Sequence, residues 1–361
     1  MEDKYQKLNE YLNDYSKKYN HFLYNDRISY YLCLSMMVHG MFFETFKNTK
    51  IDLTKFEERP SLTLEESIDL CDEFIKANLD DYYNQWKEWL VNGVISFSDQ
   101  QQNIIDYGKI QGSWAKTFKE ENQAFRSIEV ELEHNYSDPS IIVHEFLHQL
   151  NIEVLQEEGK VLGTISRSLF TEGVSIYFET LMYRFMEDKG FSKEEIARCQ
   201  YDRVKNLNQI VYGVIDGMIL LRDYEYFGKI TDENVDEAKK YKLPTFSDKT
   251  IYRNVVGGVY SKINGSLSSD IHNERYPFNP FLPFRYVVGT SLAYWAISQD
   301  DSNMPWKMLQ FNQDLLKDRD LDYAFSRFSL NPNDLRSLVD GTKKEIIRCV
   351  DNLSCALGKK R

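Results

Sequence analysis

Residues 144–148 read His144-Glu145-Phe146-Leu147-His148. On a helix, positions i and i+4 share one face about one turn apart, so two imidazoles placed there can converge on one cation. The carboxylate beside the first histidine then stands next to whatever that cation binds. Zinc suits such a donor set. It takes nitrogen, sulfur and carboxylate oxygen in tetrahedral array, and a hydrolytic site leaves one position for water. The chemistry implied is hydrolysis, with Glu145 as the general base that takes a proton from water. The setting strengthens this reading. Ile142, Val143, Phe146, Leu147, Leu150 and Leu155 make the segment apolar almost all round, the mark of a buried helix. Two histidines and a glutamate are costly to bury there unless they are paired or metal-bound.

A third ligand is expected from a second apolar segment, residues 169–179, which reads LFTEGVSIYFE. Glu172 is the expected ligand, and Gly173 beside it permits a close helix approach. Glu179 lies two turns further along the same face. It is placed to accept a hydrogen bond from a ligand imidazole and so fix its tautomer, and it is the alternative ligand if Glu172 caps or pairs elsewhere. Asn151, seven residues after His144, is either a support for the site or a solvated side chain. His21, His39 and His134 read as structural.

These residues need elements to hold them. A capping box at Thr63 and Glu66 opens a helix expected over residues 62–90. Helical periodicity also marks residues 1–19 and 27–46. Residues 127–134, SIEVELEH, alternate Ile128, Val130 and Leu132 with three glutamates, which predicts a strand with one acidic face. Such a face suits an edge strand or a partly solvated sheet. The metal-binding helix follows over about 140–157. The Glu172 helix runs to about Asp188 and stops at Gly190. Residues 242–283 read as loop, a helix follows from about Arg285 to Ile297, and another forms the C-terminal tail. The fold class expected is mainly α with a small β-sheet (α+β), with helical subdomains flanking a cleft. Three consecutive parts are expected: residues 1–125, a core at 126–230, and 231–361.

Composition bounds the function. At 361 residues the chain can bury a substantial core. A net charge of −12 argues against nucleic acid and anionic membrane surfaces as partners. Neither a secretory signal nor a membrane-length apolar run is found, and five scattered cysteines form no CxxC pair. A cytoplasmic protein with free thiols is expected, export by a signal-less route being the alternative.

The pattern His144-Glu145-x-x-His148 with a distant Glu172 resembles the gluzincin clan of zinc metallopeptidases. Glu172-x-x-Ser175-x-x-x-Glu179 is similar to the thimet oligopeptidase and oligoendopeptidase family, where the metal-binding Glu is followed by Ser and Glu at those offsets. The resemblance covers residues 126–190, with a weaker echo over 272–295. Leu147 stands where that family carries Gly, and the chain is shorter than a full oligopeptidase. The resemblance implies one Zn2+ per chain on His144, His148 and Glu172, a gluzincin-like core, and a peptide or protein substrate. In gluzincins the strand before this helix is an edge strand that receives the substrate backbone, a role implied here for residues 127–134. The family also faces the zinc with a His, several Tyr and a Gly from near the C-terminal end. His272, Tyr276 and Tyr286 resemble these, Tyr286 standing three positions before Gly289, and are the expected oxyanion donors. The same metal site would serve a toxin or effector protease with a single protein target, a gluzincin-fold binding protein without turnover, or a hydrolase of non-peptide amides or esters. The intact Glu145 argues against pure binding.

Overall fold

The structure is a computed structural model. It describes chiefly residues 61–99, 114–120, 123–157, 165–201, 282–317, 321–331 and 334–356, with shorter stretches between 5 and 45 and between 203 and 233. The chain forms two compact units, one combining residues 1–43 with 207–287 and the other 44–206 with 288–361. Within the second unit the last helices pack back onto the helix that carries Glu172. The architecture is α+β: mainly helical, with one small sheet. No helix among the described residues is long and apolar enough to cross a membrane.

In the first unit, Tyr5, Leu12, Leu34, Val38 and Phe42 are buried. The Asn9 amide makes a two-way clasp with Ile230. Its Nδ2 donates to the Ile230 carbonyl at 2.9 Å, and its Oδ1 accepts from the Ile230 amide at 2.7 Å.

The second unit opens with α1 (Leu64–Asn78), whose capping box forms as expected: Glu66 N donates to Thr63 Oγ1 at 3.2 Å, and Thr63 N donates to Glu66 Oε2 at 2.8 Å. The single helix expected over 62–90 is two helices. Leu79 leaves helical geometry at φ −137°, a short turn spans Asp80–Tyr82, and α2 (Tyr83–Val91) follows. Asn and Asp at 78, 80 and 81 are weak helix formers whose side chains compete for the backbone, and Asn78 does so by donating to the Phe74 carbonyl.

The sheet has three strands, β1 (Ile95–Asp99), β2 (Trp114–Glu120) and β3 (Gln123–Leu132), in the order β1-β3-β2. β2 and β3 form an antiparallel hairpin, and β1 pairs parallel with β3. The strand expected at 127–134 is therefore the central strand and not an edge. Its apolar residues Ile128, Val130 and Leu132 are buried as the alternation requires, and Glu131 is buried as well.

Next come α3 (Asp138–Glu157) and α4 (Ile165–Asp188). α4 ends at Gly190, whose φ of +91° is the left-handed geometry that stops a helix. α5 (Leu282–Ile297), α6 (Met304–Leu316), α7 (Leu321–Ser326) and α8 (Leu335–Ala356) complete the described elements. α6 and α7 carried no distinct signal in the sequence.

α3 is held from several sides. Trp86 and Trp89 of α2 meet the Phe146 ring edge-on at 5.5 and 5.3 Å. Asn312 Nδ2 on α6 donates to Asn151 Oδ1 at 2.5 Å, so Asn151 ties α3 to α6. α4 is pinned by Phe170, which packs on Phe311 and Phe325. Towards its other end Arg184 pairs with Glu345 of α8 at 2.9 Å and Glu187 with Arg348 at 3.1 Å.

Candidate metal centre

α3 carries His144, Glu145 and His148, and α4 carries Glu172, Ser175 and Glu179. The spacing of the α4 residues places all three on one face. Both helices are apolar around these positions, so their polar side chains lie inside the unit: His144 and Glu145 are each 7% exposed, Glu172 1% and Glu179 4%.

The two histidine rings stand nearly perpendicular, with Nε2 facing Nε2 at 2.9 Å. Glu172 closes the triangle. Its Oε1 lies 3.3 Å from His144 Nε2 and its Oε2 3.4 Å from His148 Nε2. Among the described residues, this is the one group of His, Cys, Asp and Glu whose donor atoms all lie within 4.8 Å of one another.

The donor set fits a divalent metal. Each imidazole Nε2 stands 3.3–3.4 Å from one of the two Glu172 oxygens, and two imidazoles with a carboxylate are a donor set that zinc takes. Electrostatics agree. Burial alone lowers the His144 pKa, but hydrogen bonds to Glu172 and Glu179 and the charges of both outweigh it and raise it to about 10. The site's carboxylates thus favour positive charge at this point.

The far side of each ring is also engaged. His144 Nδ1 lies 2.9 Å from Glu179 Oε2, an ion-pair distance on the side of the ring away from Glu172. His148 Nδ1 lies 3.4 Å from Ser175 Oγ. Glu179 in turn pairs through Oε1 with Arg203 Nε at 2.8 Å. α4 therefore supplies Glu172 and the neighbours of both rings. Ser175 was legible in the sequence only as part of a pattern, although its helical spacing from Glu172 and Glu179 puts it on the same face. Arg203 gave no signal, because nothing local links it to Glu179.

Of the other expected residues, Tyr286 lies on α5, half-buried. His272 and Tyr276 lie outside the described residues, as do His21 and His39. His134 sits exposed in the turn before α3 at φ 53°, and its carbonyl accepts from Leu62 N at 3.2 Å.

Two solved structures are similar in fold. One is a "putative peptidase from Chlamydophila abortus", with TM-score 0.54 and 16% identity, covering 91% of this chain and 55% of that one. The other is a "putative oligoendopeptidase F from Bacillus anthracis str. Ames", with TM-score 0.49 and 13% identity, covering 81% of this chain and 47% of that one. The chain thus spans about half the length of each. No protein family and no curated protein matches the chain by sequence.

Glu172 is placed by a backbone-to-backbone crossing of α4 and α5. A Cβ on Gly289 would stand 2.8 Å from Gly173 N and 3.1 Å from Glu172 Cβ, and one on Gly173 would stand 2.9 Å from the Gly289 carbonyl oxygen. Neither neighbour is a flexible side-chain end that can swing away. Gly341 of α8 makes a similar approach to Trp295 on α5, where an added Cβ would meet Trp295 Cα at 2.5 Å. Gly289→Ala is expected to cost about 1–3 kcal/mol of stability by overpacking. Thermal unfolding should show a Tm lowered by several degrees, and a parent-like Tm would contradict this account of the crossing.

Proposed function

We propose that this chain is a zinc-dependent peptidase of the gluzincin type, with one zinc ion on His144, His148 and Glu172. The observation that carries the reading is the convergence of three donor side chains, His144 and Glu172 buried and His148 half-buried, with Glu145 in the same helical turn. The fold likeness to the Chlamydophila abortus structure supports it at the level of architecture. A zinc ion held there supplies Lewis acidity, which makes water acidic near neutral pH and polarises a carbonyl. Glu145 takes the proton from the attacking water and delivers it to the departing amine. Glu179 holds the His144 ring in the tautomer that presents Nε2, and Ser175 partners the His148 ring. The Glu145 carboxylate is largely shielded from bulk water, which strengthens its field at the reacting atoms.

The substrate is a peptide in extended form. The strand suited to receive it is β2, the outermost strand of the described sheet on the side where α3 packs; the central β3 is already paired on both sides. An outer strand offers backbone groups that bind a peptide whatever its sequence. For the oxyanion, the proposed donors are Tyr286, Tyr276 and His272. A cytoplasmic location fits the acidic balance and the scattered cysteines.

Digestion of a mixed peptide library, with and without a chelator, tests the activity. The parent chain should cleave peptides, stop when the metal is removed, and recover on adding zinc. Elemental analysis should find about one zinc per chain, with His144→Ala, His148→Ala and Glu172→Ala each losing most of it. Glu145→Gln should keep zinc and lose hydrolysis by several orders of magnitude; comparable turnover by this variant would sink the mechanism.

The oxyanion donor is found by comparing Tyr286→Phe, Tyr276→Phe and His272→Gln. Loss of one donor lowers kcat about 100- to 1000-fold with little change in KM. We expect this of Tyr286→Phe. An unaffected Tyr286→Phe beside a crippled Tyr276→Phe or His272→Gln would move the role upstream.

A further inference from the structure

Glu179 is a buried carboxylate with an ion-pair neighbour at each oxygen. Oε2 lies 2.9 Å from His144 Nδ1, and Oε1 lies 2.8 Å from Arg203 Nε. Glu179 is almost wholly buried, whereas the Arg203 side chain is 43% exposed. A line of polar contacts thus runs from His144 through Glu179 to Arg203, whose side chain is partly exposed. Arg203 follows the helical residues 193–201, outside the two helices that carry the ligands.

We infer that Arg203 is a positioning residue for the metal centre: it fixes the Glu179 carboxylate so that one oxygen stays aimed at His144 Nδ1. This rests on the reading of His144, His148 and Glu172 as zinc ligands. A carboxylate on a three-bond side chain can rotate about its last bond, and a single neighbour on one oxygen does not fix that rotation. A planar guanidinium on the other oxygen does, since its N–H directions are rigid. With Glu179 fixed, the His144 ring is held with Nε2 towards Glu172 and His148. Without Arg203, the buried carboxylate loses its cationic partner and turns to find other donors, and the ring loses its anchor. Outer partners of metal-binding histidines are commonly worth 10- to 100-fold in metal affinity.

A competing effect has the opposite sign. Arg203 is a positive charge near a site for a divalent cation, so by repulsion alone its removal would tighten metal binding. The sign of the change therefore separates positioning from simple charge.

The test measures zinc affinity by competition with a chromogenic chelator for the parent, Arg203→Met, Arg203→Lys, Glu179→Gln and the Arg203→Met/Glu179→Gln double variant. Arg203→Met should weaken zinc binding about 10- to 100-fold. Arg203→Lys, which keeps the charge but not the planar fork, should lose several-fold. In the Glu179→Gln background, Arg203→Met should change little, because its effect runs through that carboxylate. Zinc affinity in Arg203→Met equal to or tighter than the parent's would overturn the inference, as would an undiminished loss in the Glu179→Gln background. Should Arg203→Met not fold, Arg203→Lys decides, with parent-like affinity overturning it. A parent chain that takes up no zinc overturns the ligand reading as well, whereas a zinc-binding parent with an indifferent Arg203 overturns only this step.

Discussion

The convergence of three donor side chains on one point in a protein interior governs this structure. His144, His148 and Glu172 bring two nitrogens and a carboxylate within hydrogen-bonding range of a common point, largely screened from water. A proton can bridge one pair of these atoms but not all three. A divalent cation can satisfy the set at once. Burying the group without such a partner would cost several kcal/mol, against a total stability of only about 5–15 kcal/mol for a typical domain.

The second unit is arranged to hold that convergence. The two tryptophans of α2 grip Phe146 on α3, one residue past Glu145. The Asn151–Asn312 contact anchors α3 further along. α4 is fixed at one end by an aromatic cluster with α6 and α7 and towards the other by ion pairs to α8. Between these ends, Gly173 and Gly289 let α4 and α5 touch backbone to backbone beside Glu172. Glycine there lets the backbone carrying Glu172 approach α5 closely, and Ser175 and Glu179 follow on the same helix. Metal geometry and helix packing are therefore one constraint.

Much of this was legible in the sequence, and the reasons differ by element. The i, i+4 histidines on an apolar helix and the carboxylate on a second apolar helix are local patterns, and the structure brings all three together. The capping box at Thr63 and the stop at Gly190 are local too. What depended on distant partners was not legible. The strand at 127–134 looked like an edge because its own alternation carried acid on one face; its neighbours, at 95–99 and 114–120, pair with it through backbone groups that leave little trace in side-chain type. The break at residues 79–82 was hidden inside a long apolar period. The Arg203–Glu179 pair joins residues whose sequence positions give no reason to connect them.

The most direct test of the metal centre is X-ray absorption at the zinc edge on the purified parent chain. The account predicts a zinc edge with two imidazole nitrogens near 2.0–2.1 Å, oxygen ligands near 2.0–2.2 Å and no sulfur, with the imidazole signal halved in His148→Ala samples reloaded with zinc. A sulfur shell near 2.3 Å, or zinc whose environment is unchanged in His148→Ala, would contradict it.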